Sequence, residues 1–474
     1  MAAKPRLSHF GSLFFSVTLA LVPAFFTPIL FAQSSPVFNG PRDYPVGLSP
    51  NSMVVGDFNG DGRPDIATAN HGSNNVSVLL QNSDGTFQTA VSYPVGNNPS
   101  SLQVGDVNGD GKLDLVLINS TDNTLGVLLG NGDGTFQAQQ LTAIPPNSPP
   151  QMVVADLNGD GKADVAIAEP LPQVGNYAVA VLLSSGNGSF QAPVTYPVNG
   201  ASLGLGVADF NNDGKLDIVS AGSGVSVGMS VLLGNGDGTF QAAINSATQA
   251  VYMGQSPLLI ADFNQDGNLD IAAATSGAHG FVFFTLYWGN GDGTFQVDVL
   301  SLPSVLAQCM PLATGDMNGD GKPDLFAIGC GQLIGVSLLN NGDGTFTEGP
   351  SVTLTGFQTT LALSDLNGDH QLDLVAAVSG TGSYYQDIVS VLHGNGDGRF
   401  AQFPSYAVTT SLLETVVAAD FNGDGKPDLG GAFVVLDTVT DLPDSLNLGL
   451  LLNSGVGFLP PTVTVAPQLL DTGT

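Results

Sequence analysis

Asp57-Phe58-Asn59-Gly60-Asp61-Gly62-Arg63-Pro64-Asp65-Ile66-Ala67 is the stretch that decides the fold. Oxygen-bearing side chains stand at its positions 1, 3, 5 and 9, with glycine at position 6. The pattern Asp-x-Asn-x-Asp-Gly-x-x-Asp then returns along the chain. It is carried by Asp106, Asn108, Asp110 and Asp114; by Asp156, Asn158, Asp160 and Asp164; and by Asp209, Asn211, Asp213 and Asp217. Further on come Asp262, Asn264, Asp266 and Asp270, then Asp316, Asn318, Asp320 and Asp324. The last two sets are Asp365, Asn367, Asp369 and Asp373, and Asp420, Asn422, Asp424 and Asp428. The eight loops begin 49 to 55 residues apart, a propeller-blade period.

Outward from each loop the order of features is constant. A short apolar run leads in (Met53-Val54-Val55-Gly56), and the loop's last Asp opens a second run (Asp65-Ile66-Ala67-Thr68-Ala69). A third run ends at a turn such as Asn131-Gly132-Asp133-Gly134-Thr135-Phe136, and a fourth begins at that Phe. Four runs separated by turn chemistry predict one four-stranded antiparallel blade. The expected class is all-β: a propeller of eight blades, with seven as the alternative. The repeat units fall at about 50–98, 99–148, 149–201, 202–255, 256–308, 309–357, 358–411 and 412–466. Pro45, Pro94 and Pro197 stand in fourth runs, which suits an outer edge strand where a ladder donor can be spared. Tyr44-Pro45-Val46 resembles Tyr93-Pro94-Val95 but has no blade before it. Residues 37–46 are therefore one candidate for the outer strand of the last blade, and residues 458–465 are the other.

Composition agrees. Charged residues are 11% of the chain, Gly reaches 62, and Glu occurs only as Glu169, Glu348 and Glu414. Long amphipathic helices draw their solvent faces from Glu, Lys and Arg, so helix is disfavoured. The net charge of −31 repels nucleic acid and anionic lipid. Of the 41 acidic residues, 24 sit in the eight loops, whose electrostatic demand is for a cation. Residues 1–32 read as an export signal, with Lys4 and Arg6 before an uncharged apolar stretch interrupted by Pro23 and Pro28. The alternative is an uncleaved membrane anchor; no later segment is apolar enough to span a bilayer. Cys309 and Cys330 flank the loop 316–324 at nearly equal distances. They face each other if that loop joins two antiparallel strands, giving either a disulfide or two buried thiols.

Three carboxylates within nine residues repel one another unless a cation lies among them. Calcium takes six to eight oxygens at flexible geometry, and alternate positions of a tight loop offer them; magnesium demands stricter octahedral geometry. Up to eight calcium ions are expected. Position 7 (Arg63, Lys112, Lys162, Lys215, Asn268, Lys322, Gln371 and Lys426) is expected to supply only its backbone carbonyl, which leaves its side chain free to point away. In the seventh loop His370 replaces the glycine of position 6, and weaker or distorted binding is expected there. The Asn-Gly-Asp-Gly turns read first as ordinary hairpin turns.

These stretches, with Asp316-Met317-Asn318-Gly319-Asp320-Gly321-Lys322-Pro323-Asp324-Leu325, resemble the FG-GAP/VCBS repeat family, typified by the propeller of integrin α subunits. The resemblance covers residues 37–466. It implies a ring of blades with calcium in the loop between the first and second strands, and a loop in every unit looks like the secreted bacterial members. The family's second signature is poorly kept, with Gly431-Ala432-Phe433 the nearest match.

Loops after strands one and three share one face of a blade, which places the acidic loops and the Asn-Gly-Asp-Gly turns together. The opposite face gathers the connections that vary, 169–177, 379–387 with Tyr384 and Tyr385, and 435–447. A rigid scaffold with variable loops on one face suits recognition of an extracellular protein or glycan. Histidines 71, 279, 370 and 393 fall in different units, and no nucleophile elbow, phosphate loop or dinucleotide fingerprint is present. No catalytic residue is expected. A calcium-dependent polysaccharide lyase is the alternative, weakened because only Arg42 and Arg399 are basic in the mature chain outside the loops.

Overall fold

The structure, a computed structural model, describes residues 42–82, 87–146, 151–170, 177–223, 228–247, 252–253, 258–276, 282–300, 312–329, 334–353, 357–365, 370–379, 387–402, 406–409, 411–421, 427–436 and 443–451. Every regular element among them is a β-strand, and the strands form eight antiparallel sheets in sequence order. In the second unit the order is Pro99–Gly105, Asp114–Asn119, Thr124–Leu128 and Gln140–Ala143, each paired with the next. The last Asp of every acidic loop is the first residue of a second strand, as the sequence predicts. Two units depart from four clean strands. In the fifth, Tyr252–Met253 and Leu259–Ala261 both pair with Asp270–Ser276; in the seventh, Phe400–Gln402 and Tyr406–Thr409 both pair with Asp387–Gly394. Pro257 and Pro404 stand in the intervening sequence, and a residue without an N–H interrupts a ladder.

Second and third strands are buried on both faces. Asp65–Asn70 and Asp114–Asn119 are buried at every residue, whereas the outer strand Val91–Pro94 is exposed or half-buried throughout. This is why Ile66-Ala67-Thr68-Ala69 reads as a continuous small-apolar run, without the alternation of a half-solvated strand. The hydrophobic clusters lie between sheets: one joins Val116, Ile118 and Val127 to Val165, Ile167 and Leu182, and another joins Val219 and Val231 to Ile271 and Tyr287. Glycine before a loop answers crowding at the inner strands. A Cβ on Gly105 would stand 2.8 Å from Val154 Cγ1 and 2.9 Å from Ala163 Cβ of the next unit.

The first described strand settles which segment completes the last sheet. Arg42–Pro45 pairs antiparallel with Pro443–Leu451, from Arg42 opposite Leu450 to Pro45 opposite Asn447. It lies at the outer edge of a sheet otherwise built from the end of the chain. Residues 458–465, the rival candidate, lie outside the described residues. Tyr44 does for the first unit what Tyr93 does for the second. Its hydroxyl accepts the Phe87 N–H at 3.2 Å and its ring meets Phe87 edge-on at 5.5 Å, while Tyr93 accepts the Phe136 N–H at 3.2 Å. Tyr196 and Phe240 repeat the contact. Phe421 of the last unit also packs on Phe87, with centroids 5.7 Å apart, so the last sheet and the first share a core.

Candidate metal loops

Each acidic loop is wound on its own backbone. In the first, Asp57 Oδ1 accepts the Gly60 and Asp61 N–H groups (2.7 and 3.1 Å), and Oδ2 accepts the Gly62 N–H at 2.8 Å. Asn59 Oδ1 accepts the Asp61 N–H at 3.0 Å, and Asp61 Oδ1 the Arg63 N–H at 3.0 Å. The second and third loops repeat the whole set around Asp106 and Asp156. In the fourth to sixth, Asp209, Asp262 and Asp316 take the N–H groups of positions 5 and 6. Position 6 needs a positive φ, 81° at Gly62. His370 adopts it too, at 67°, and its N–H still reaches Asp365 Oδ2 at 2.8 Å. Position 6 of the seventh loop thus holds a non-glycine residue in a left-handed conformation.

Position 9 is a buried clamp. Asp65, Asp114, Asp164, Asp217, Asp270 and Asp324 are fully buried, as is Asp373. Asp114 Oδ2 accepts the Val107 N–H (2.9 Å) and Oδ1 the Gly130 N–H (2.8 Å). One carboxylate therefore ties loop position 2 to the end of the third strand. The same two bonds recur at Asp65, Asp164, Asp217, Asp270 and Asp324. Burial pushes Asp65, Asp114, Asp164 and Asp270 up to about 6, against the pull of those N–H donors. In the seventh unit His393 Nδ1 adds a contact at 3.0 Å to Asp373 Oδ1.

The expectation for position 7 is corrected. Its side chain turns back onto position 5: Lys112, Lys162, Lys215 and Lys322 Nζ lie 3.3, 2.9, 3.2 and 2.8 Å from Asp110, Asp160, Asp213 and Asp320 Oδ2, and Arg63 pairs with Asp61. A cation two residues from a carboxylate on one tight turn finds it without other help. The lysine hydrogen bonds hold Asp160 and Asp320 below the usual carboxylate range. The fifth loop differs, since Asn268 stands at position 7 and Asp266 Oδ2 instead accepts Asn264 Nδ2 at 3.0 Å.

The loops also reach across the seams. The Phe58 carbonyl accepts the Gly134 N–H of the next unit's turn at 2.9 Å; Phe210 and Met317 repeat this with Gly293 and Gly398. Phe263 is met by Asn340 Nδ2 at 2.6 Å, and Val107 by the Ser184 hydroxyl. Acidic loops and turns therefore share one face. Within the turn, Asp133 Oδ1 accepts both the N–H and the hydroxyl of Thr135, at 3.0 and 2.6 Å, in keeping with a hairpin reading.

Calcium, which the resemblance implies, fits these loops in donor type and charge. Positions 1, 3, 5 and 9 offer only oxygen, and each bonded carboxylate oxygen keeps a second lone pair. Among the described residues no group of three or more His, Cys, Asp or Glu side chains converges ready to hold a metal. Two things hold the carboxylates apart: position 9 lies under the turn on its two N–H groups, and the outer oxygen of position 5 carries the basic side chain. That exposed ion pair is worth about 0 to 1 kcal/mol, so a divalent cation can displace it. Asn367, Asp369, Asn422 and Asp424 lie outside the described residues, as do Cys309, Cys330, residues 1–32 and most of the variable connections. Among the described residues no helix is long and apolar enough to cross a membrane.

Comparison with known proteins follows the same repeat. The family model for the FG-GAP-like repeat matches residues 57–117, 106–167, 156–220, 209–273, 262–327 and 365–430. A search of curated proteins finds no match. Among solved structures, the BP39L lectin from Burkholderia pseudomallei is similar at a TM-score of 0.51 and 15% identity, over 76% of this chain and 100% of the lectin. BBS1N in complex with ARL6DN gives 0.43 at 11% identity over 89% and 98%, and the V. cholerae biofilm matrix protein Bap1 gives 0.34 at 14% over 89% of each chain. The lectin shares the fold; the six repeat matches, five of them overlapping, span well over half of the sequence. The chain belongs to the FG-GAP-like repeat family.

Proposed function

We propose that this protein is an exported scaffold for recognition or adhesion whose blades are stabilised by calcium. The observation that carries the reading is the double attachment of each acidic loop. Its position-9 carboxylate holds the third strand of its own sheet, and its position-2 carbonyl is held by the next sheet. A cation bound by positions 1, 3, 5 and 9 and the position-7 carbonyl would offset the charge of three carboxylates where two blades meet. It would supply stiffness there, not a reaction. The export signal fits a compartment where calcium is millimolar, sufficient for sites with Kd of about 10⁻⁴ to 10⁻³ M. The opposite face, with its uneven connections, is left for an extracellular protein or glycan.

The test is thermal melting of the mature chain with calcium and with chelator, then binding to arrays of glycans and extracellular proteins under both conditions. A higher Tm with calcium and array binding that chelator weakens are expected. An unchanged Tm would remove the calcium reading; release of unsaturated sugar from a uronate polymer would replace recognition by lyase chemistry.

A further inference from the structure

Among the six seams whose turns lie in the described residues, one differs on the acidic-loop face. Just before the residue whose N–H meets the position-9 carboxylate stands Leu80, Leu129, Leu183, Leu233 or Leu339, and it fills the space under the second glycine of the next turn. A Cβ on Gly134, Gly188, Gly238, Gly293 or Gly398 would stand within 2.9 Å of those leucine carbons. In the fifth unit the residue is Trp288, the single tryptophan of the chain, and the corresponding approach to Gly344 opens to 3.5 Å. Beside it lies a shallow, open groove of about 370 Å³ between the fifth and sixth sheets. Its lining includes Trp288, Gln296, Asp298, Asn264, Asp266 and Asp343.

Strand register explains the grouping. Trp288 is paired with Gln296 and Leu286 with Asp298, so all four point from one side of the sheet, toward the sixth unit. One part of the indole is packed on the core that contains Phe263, Leu286 and Leu325. Gln296 and Asp298 are exposed. The fifth loop is the one among the first six with no basic residue at position 7, so no Lys or Arg of that loop covers Asp266. The substitution of Trp for Leu thus lies at the site itself, while Asn268 faces Asn212 of the fourth unit and bears on the site only by leaving Asp266 with no basic residue at position 7.

We propose that this groove binds a neutral saccharide. An indole face is electron-rich and attracts the polarised C–H groups of a sugar ring. Carboxylates and side-chain amides around it accept hydrogen bonds from hydroxyls. Asp298 and Asp343, the carboxylates of the lining that the loop's own cation site does not use, repel uronates, sulfated sugars and phosphates. The inference lies beyond the recognition reading, because that reading places its partner on the opposite face.

Because Trp288 is the single tryptophan, its fluorescence reports on this groove alone. The mature chain, with calcium present, is titrated with neutral mono- and oligosaccharides, with uronates, and with choline. A saturable shift with a neutral saccharide, unaffected by added salt, is expected. Calorimetry then follows binding by Trp288→Leu, which installs the residue the repeat uses elsewhere, with about tenfold loss expected. The exposed double variant Gln296→Ala/Asp298→Ala tests the polar wall with little threat to folding, and a similar loss is expected. No saturable response to any neutral saccharide overturns the proposal, as does undiminished binding by both variants. A salt-sensitive response to choline in place of sugar also overturns it, in favour of a cation site. Array binding that survives Trp288→Leu while this groove binds nothing leaves the opposite-face reading standing alone.

Discussion

At the scale of single residues, the position-9 aspartates hold the most tension. Each is buried, the first six each accept two backbone N–H groups, and four are raised to about 6 from an unfolded value of 3.8. A raised carboxyl binds its proton in the folded chain over a range where the unfolded chain has released it. Its stabilising contribution is present below the unfolded value and is lost as pH rises through about 6. In chelator, Tm should therefore rise by several degrees from about pH 7 to about pH 5. Calcium competes with those protons and should flatten or reverse the trend, a comparison that scanning calorimetry can make. Asp114→Asn turns an amide donor toward a backbone donor and should cost about 1 to 3 kcal/mol in urea unfolding. His370→Gly relieves a left-handed non-glycine residue and should stabilise by about 1 kcal/mol. The loop positions were readable in the sequence because their spacing is local. Burial of position 9 was not, since its second partner (Gly130 for Asp114) lies 16 residues on and arrives only when the third strand folds alongside.

At the scale of elements, the loop and its turn work as one joint. The return of Lys112 onto Asp110 escaped the sequence reading because the calcium template assigns position 7 to its carbonyl alone. The same lysine lies over Gly132, whose added Cβ would meet its Cδ at 2.8 Å. Lys322→Gln should change the metal-free Tm little, since exposed pairs contribute about 0 to 1 kcal/mol, and should tighten calcium binding by freeing Asp320. Isothermal titration of that variant against the parent checks this. The outer strands carry a second joint, the tyrosine that meets the next unit's phenylalanine. Tyr93→Phe keeps the ring contact but removes the acceptor for the Phe136 N–H, and a loss of about 1 kcal/mol is expected by denaturant unfolding.

For the whole molecule, hydrophobic clusters of the described residues join neighbouring sheets from the first to the seventh, and the first and last are joined by Tyr44, Phe87 and Phe421. Repeat spacing made the blade legible, down to the proline-bearing outer strand. It left open which end supplies the last outer strand, because 37–46 and 458–465 both have strand composition and only pairing distinguishes them. Removing residues up to 45 should leave the final sheet one strand short and uncover the Ile66 and Phe87 cluster. A lower Tm and increased binding of a hydrophobic dye are expected relative to the mature chain.

That shared sheet has a consequence in time. Arg42–Pro45 emerges during synthesis well before its partner Pro443–Leu451. Bringing together strands roughly 400 residues apart costs about 5 kcal/mol of chain entropy if nothing between them has folded. Once the intervening blades are assembled, most of that cost has already been met by their own contacts. The pairing therefore acts as a completion signal: a chain halted or cut before residue 443 keeps an unpaired edge and an open apolar seam at its beginning, where a protease or chaperone can find it.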